Sequence, residues 1–225
     1  MKIPTYLELG AKRTFAGAIE WPGWCRAGRD EATALEAMGV AAPRYAKVLR
    51  GTRLGFGAAK EASGFAVVER LRGDAITDFG APSIAPSADG RPLDDAELKR
   101  LRSILSACWR SFDAAADAAR GKALAKGPRR GGRDLGKIVD HVVDAEGSYL
   151  RMLGRKIEPG ARQDRAERTN AAVLDALETT AREGVPAPGP RGGKRWLLPL
   201  LRPARGLARP RPRVGDRGSD GTVGA

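Results

Sequence analysis

At 225 residues the chain has room for one large domain or two small ones; 42% hydrophobic residues suffice for a core, and 30% charged residues hydrate its surface. The net charge of +13 is uneven: residues 191–225 hold nine Lys/Arg against Asp216 and Asp220, so +7 lies in that stretch and the rest is not marked as a nucleic-acid-binding domain. No apolar run approaches the roughly 20 residues that span a bilayer, the N-terminus lacks the apolar core of a secretory signal, and Cys25 and Cys108 stand alone without a C-x-x-C. A cytoplasmic protein with no membrane contact, no disulfide framework and no cysteine zinc site is expected.

Residues 1–50 read as a small α/β unit. Tyr6-Leu7-Glu8-Leu9 alternates, and Phe15, Gly17, Ile19 and Trp21 fall on one side of a second strand. Pro22-Gly23 signals a turn, and Trp24-Cys25-Arg26-Ala27 returns as a third strand. Gly28-Arg29-Asp30-Glu31 opens a helix whose acids suit its positive N-terminal end, with Ala34, Leu35 and Met38 inward. Pro43 is expected to kink or restart that helix before Arg44-Tyr45-Ala46-Lys47-Val48-Leu49. Residues 51–92 read as a linker with one strand over 64–71 and a Pro/Ser/Ala/Gly-rich loop over 80–92.

Residues 93–185 carry three amphipathic helices. Asp94 or Asp95 caps the first, with Leu98, Leu101, Leu105, Cys108 and Phe112 recurring at threes and fours. Asp134 caps the second, where Leu135, Ile138, Val139, Val142, Tyr149, Leu150 and Leu153 form a stripe that Gly154 ends. The third runs from about Asp164 to Glu183 with Val173, Leu174, Leu177 and Ala181 inward. Three such faces pack as a bundle and call for a fourth helix. In its place stand residues 186–225, an Arg/Pro/Gly-rich tail that reads as disordered. The fold class expected is therefore α+β: a β-β-β-α unit, then a three-helix (incomplete four-helix) bundle and a disordered basic tail.

Chemistry-bearing residues are few. Gly51-Thr52-Arg53-Leu54-Gly55-Phe56-Gly57 lacks the Lys-Ser/Thr of a phosphate loop. Asp94-Asp95 reads as a helix start rather than a carboxylate pair, and Cys25 has no nearby base. A Ser-His-Asp triad would have to use His141, the chain's single histidine, and adjacent Asp140 points about 100° away on the helix. Glu146 falls inside the apolar stripe, where a carboxylate either lines an acidic site or is paired with a basic or Trp side chain of a neighbouring helix. Arg120, Lys122, Lys126, Arg129, Arg130, Arg133 and Lys137 form a basic cluster around the first interhelical loop; it reads as solvated surface, with an anionic substrate as the functional alternative. No catalytic residue and no organic-cofactor motif is assignable.

Two stretches resemble known families. Phe15 through Ala32, with its strand, Pro-Gly turn, strand and Ala-rich helix, resembles the HicB-like antitoxin fold; Trp21 and Trp24 stand where that family carries an acidic and a turn residue. Gly132 through Leu150, where His141 follows the Ile138-Val139 pair and is followed by Ala145-Glu146 and Tyr149-Leu150, is similar to the second helix of DinB-like four-helix bundles. That resemblance implies a divalent metal (Zn or Ni) held by three histidines: one on this helix, here His141, and two from a His-x-x-x-His on the fourth. It also implies thiol-dependent transferase or related chemistry on a small-molecule substrate, and a homodimer is expected. Asp144 and Ser148 lie near the same face as His141, Asp144 as a weak assistant.

The missing histidines have a candidate source. Codons permitted for Gly206 through Gly215, read one base later, encode Ala-Trp-His-Val-Leu-Asp-His-Ala-Trp, which puts two histidines one helical turn apart. The first and third bases of each shifted codon are fixed by this protein and the middle base is largely free. A frameshift that replaces the fourth helix is therefore expected, which leaves the metal-dependent transferase or hydrolase of the intact form impaired in this chain. The competing expectation is a non-enzymatic binding or regulatory protein, its N-terminal unit meeting a protein partner and its tail meeting polyanions; nucleic acid is expected only through that tail.

Overall fold

Alternating side chains make the first three strands. β1 (Ile3–Leu9) pairs antiparallel with β2 (Thr14–Ala18), and β2 with β3 (Cys25–Gly28). The computed structural model describes residues 2–59, 61–122, 124, 134–155, 157, 159–161 and 164–183; the expected disorder of residues 186–225 lies outside them. β2 stops at Ala18, short of Trp21, because the chain turns: the Ala18 N–H donates to Trp24 O at 3.0 Å and the Trp24 N–H to Trp21 O at 3.1 Å.

Asp30 opens α1 (Glu31–Val48), its carboxylate accepting the Thr33 N–H at 2.8 Å while the Thr33 hydroxyl oxygen accepts the Asp30 N–H at 3.1 Å; a reciprocal cap of this kind contributes about 1 kcal/mol. The helix runs unbroken through Pro43, contrary to the restart expected there. Pro43 lies on the exposed face, while Met38, Ala42 and Tyr45 on either side are buried against the sheet, and that packing offsets the roughly 3 kcal/mol a mid-helix proline costs.

The strand expected over 64–71 forms as β4 (Phe65–Arg72), and its position was not legible in advance. It pairs in parallel with β1, giving the order β3-β2-β1-β4, so residues drawn as a linker supply one edge of the sheet. One sheet face, with Ile3, Leu7, Ala16, Ala18 and Phe65, packs on Ala34, Met38, Tyr45 and Leu49. Trp24, fully buried, stacks on Tyr45 at 5.9 Å and meets Phe56 and Phe65 edge-on. The opposite face carries Tyr6, Glu8 and Phe15. Gly17 is required there, since a Cβ would sit 2.5 Å from the Tyr6 ring.

Residues 73–90, including the short helix α2 (Ala75–Phe79), lie over that second face. Then α3 (Asp95–Ala119) begins, capped by Asp94, whose carboxylate accepts the Glu97 N–H at 2.7 Å. α3 belongs to two cores at once. Ile104, Ala107 and Cys108 close the core of the α/β unit, while Leu101 and Leu105 pack with Leu150 and Leu153 of α4 (Leu135–Met152) and Val173, Ala176 and Leu177 of α5 (Arg165–Glu183). Arg100 reinforces the junction, its guanidinium 4.3 Å over the Trp21 ring and donating to Glu20 O.

Asp134 caps α4 and Gly154, at φ +73°, follows its end, as the sequence indicates. Arg165 pairs with Asp144 at 2.5 Å and Arg155 with Asp175 at 3.4 Å, so α4 and α5 run in the same direction. The connection therefore returns along α4, and Ile157 packs at Gly147, where a Cβ would come within 3.1 Å of it. The architecture is α+β, with three helices bundled beside a four-stranded sheet. Among the described residues no helix is long and apolar enough to cross a membrane.

Candidate functional site

His141 sits near the middle of α4 with its side chain exposed. Its expected assistant, Asp144, is engaged by Arg165 at 2.5 Å, and Ser148 donates to Asp144 O at 2.8 Å while accepting from Arg151 at 2.7 Å. Among the described residues no group of three His, Cys, Asp or Glu side chains converges in a way that could hold a metal. One exposed imidazole beside an ion-paired carboxylate does not fit the divalent site the resemblance implies.

The buried line on α4 is also rotated from the stripe read in the sequence. Val143, Gly147, Leu150 and Leu153 are buried, whereas Leu135, Ile138, Val139, Val142 and Tyr149 are half-buried. The cause lies on α3, whose last turns from Asp113 carry alanine and aspartate and offer no large apolar partner. The first half of α4, up to His141, thus presents an apolar flank that its neighbours cover in part.

Glu146 resolves one of the alternatives. Its carboxylate accepts the Trp109 Nε1–H at 2.8 Å, so the neighbouring partner is the Trp side chain and not a cation. Burial pushes this carboxyl above the usual range; the Trp109 bond opposes that rise, and nearby Asp113 adds to it. Asp113 is itself raised, by burial and then by Asp117. Cys108, beside them, is pushed up to about 12 by burial and the Glu146 charge, so its thiol stays protonated and unreactive at neutral pH.

Sequence reasoning missed a buried carboxylate on which several donors converge. Glu8, placed in β1 by alternation alone, is fully buried on the second sheet face. Its carboxylate accepts the Thr77 hydroxyl at 2.5 Å, the Ser83 N–H at 2.8 and 3.0 Å, and the Ile84 N–H at 3.1 Å. Asp74 caps α2 through the Ile76 and Thr77 N–H groups and accepts the Ser83 hydroxyl at 2.7 Å; Glu69 accepts the Ser87 N–H and hydroxyl. Glu8 and Glu69 thus pin residues 77–87 to the sheet, and Asp74 ties the start of that segment to Ser83. The one signal available was an acid at an inward position of an otherwise apolar strand.

Asp94 is a cap, Cys25 is half-buried with the Tyr6 hydroxyl 3.9 Å from its sulfur, and the 51–57 segment takes positive φ at Gly51, Arg53 and Gly55 as a turn-rich loop. Of the interhelical basic cluster, Lys126, Arg129, Arg130 and Arg133 lie outside the described residues, as does the tail with its shifted-frame helix; Arg120 and Lys137 pair locally with Asp117 and Asp134. Compared with family models, with curated proteins and with solved structures, the chain matches none.

Proposed function

We propose that this chain is a catalytically impaired DinB-like bundle joined to a HicB-like α/β unit, whose intact form is a divalent-metal-dependent transferase or hydrolase acting on a small molecule. The observation that carries the reading is the flank of α4 beside His141: Leu135, Ile138, Val139 and Val142 are only half-buried, which is what a bundle lacking its fourth helix leaves. The single histidine of the chain supports the impairment, since a selective Zn or Ni site takes three or four protein ligands.

The test compares two purified proteins by metal analysis and calorimetry: the chain as it stands, and one rewritten in the shifted frame from Leu197 onward. The repaired protein is expected to take up one equivalent of Zn or Ni that His141→Ala abolishes, and the present chain none. A repaired protein that folds and binds no metal sinks the reading.

One observation favours a second reading, a binding protein whose α/β unit takes a protein partner. Ile76 and Phe79 lie one turn apart on α2 and are 53% and 87% exposed, and Val68 on edge strand β4 is 60% exposed. Under it neither protein binds metal stoichiometrically, and strong salt-sensitive binding to polyanions disappears when residues 191–225 are deleted.

A further inference from the structure

A groove of about 560 Å³ runs along the solvent face of α3, walled on one side by Leu174 and Glu178 of α5 and on the other by Gly51 and Thr52. Asp95, Lys99, Arg102, Ser103, Ser106 and Arg110 recur at threes and fours, so all six project from α3 toward this groove. Elsewhere in the bundle several cations are ion-paired: Arg155 with Asp175, Arg165 with Asp144, Arg182 with Glu178. Inside the groove Arg102 is neutralised by Glu178 at 2.7 Å. Among the described residues, Lys99 and Arg110 make no side-chain hydrogen bond or ion pair, and both are exposed. They mark the two ends of a cationic channel about 16 Å long on the helical rise. Between them the Ser103 hydroxyl is committed to Lys99 O at 2.9 Å, and Ser106 keeps its donor. Asp95 lies a turn before Lys99, and the middle of the groove holds the Arg102–Glu178 pair and two serines, so the unpaired positive charge sits toward the two ends.

We propose that this groove binds a linear oligophosphate, its anionic groups bridging Lys99 and Arg110 with the Ser106 hydroxyl donating between them. The chemistry follows from the lining. Two uncompensated cations on long flexible stems suit several phosphates in a row rather than one, since their heads can close on charges spaced anywhere along the channel. No aromatic ring lines the groove, so a base has nothing to stack on, and recognition is of phosphate rather than of nucleobase. The reading is independent of the metal question, because the groove contains neither His141 nor its neighbours.

The probe is sodium tripolyphosphate, titrated calorimetrically into the full chain at low and at physiological salt. The basic tail also attracts phosphate, so the groove pair Lys99→Ala with Arg110→Ala is set against a tail pair of equal charge, Arg209→Ala with Arg211→Ala. Two charge-assisted contacts, discounted for exposure and salt, make the groove double about tenfold weaker. The tail double is expected to stay within about twofold of the parent, and Ser106→Ala to weaken binding by a few-fold. Equal losses in the two doubles, or no measurable binding by the parent chain, overturn the proposal. Lys99 and Arg110 belong to neither core, so the variants should fold, which unchanged urea unfolding verifies.

Discussion

Removing the Glu8 carboxylate tests the clamp on the second sheet face. Three donors converge on it: the Thr77 hydroxyl and the Ser83 and Ile84 N–H groups. Glu8→Ala strands all three in a site that is fully buried in the parent. At about 1–3 kcal/mol per unsatisfied group, and allowing residues 80–90 to relax and admit water, the loss is about 3–5 kcal/mol. Glu8→Gln is nearly isosteric but turns an NH2 toward donors, so it relieves only part of this and costs about 2 kcal/mol. Urea unfolding followed by tryptophan fluorescence reads both values, Trp24 serving as a fully buried reporter. Native-state hydrogen exchange adds a local signature, in which the Ser83 and Ile84 amides lose protection before those of α1 do. If Glu8→Gln unfolds within about 0.5 kcal/mol of the parent, with both amides still protected, the carboxylate is not what holds the segment down.

Two further predictions concern buried titratable groups on α3 and α4. Burial raises the Glu146 carboxyl, with Asp113 the like charge facing it, so the folded state disfavours the ionised form. The stability linked to this group is present below the ordinary carboxyl value of 4.5 and is lost as pH rises through the raised folded value. Glu146→Gln retains an acceptor for Trp109 and should gain on the parent across that window and hold a constant advantage above it, as urea midpoints from pH 4 to 8 would record; a difference that shrinks with rising pH contradicts the assignment. Cys108, with its thiol at about 12, should resist a disulfide reagent at pH 8 until the protein unfolds. Cys108→Ser should accordingly leave the native-state labelling unchanged.

What the sequence disclosed was local. Asp30, Asp94 and Asp134 announced their helices because a cap acts on N–H groups only two or three residues away. β4 could be recognised as a strand, but not as the partner of β1, because nothing short-range records which edge a crossover helix returns the chain to. Glu8 is the sharper case: its donors lie 69 to 76 residues downstream, so its neighbours in sequence show only an acid among apolar residues. On α4 the stripe missed Val143 because the tilt of a helix is set by what its neighbours supply, and α3 supplies alanine where the first half of α4 offers valine and isoleucine. His141 could be placed on its helix, and the pairing of Asp144 with Arg165 could not be foreseen from the spacing within α4.

The double membership of α3 has a consequence for how the protein tolerates damage and change. Its Leu101–Leu105 side belongs to the bundle and its Ile104–Cys108 side to the sheet, so apolar character is required around much of its circumference, and neither half can be excised without exposing the face it shared. The two halves should therefore melt in one cooperative transition and travel together through recombination. The same anchorage works as insurance. Where α4 and α5 loosen, α3 stays seated on the sheet through Ile104, Ala107 and Cys108, with Arg100 stacked on Trp21, and the α/β unit keeps its shape.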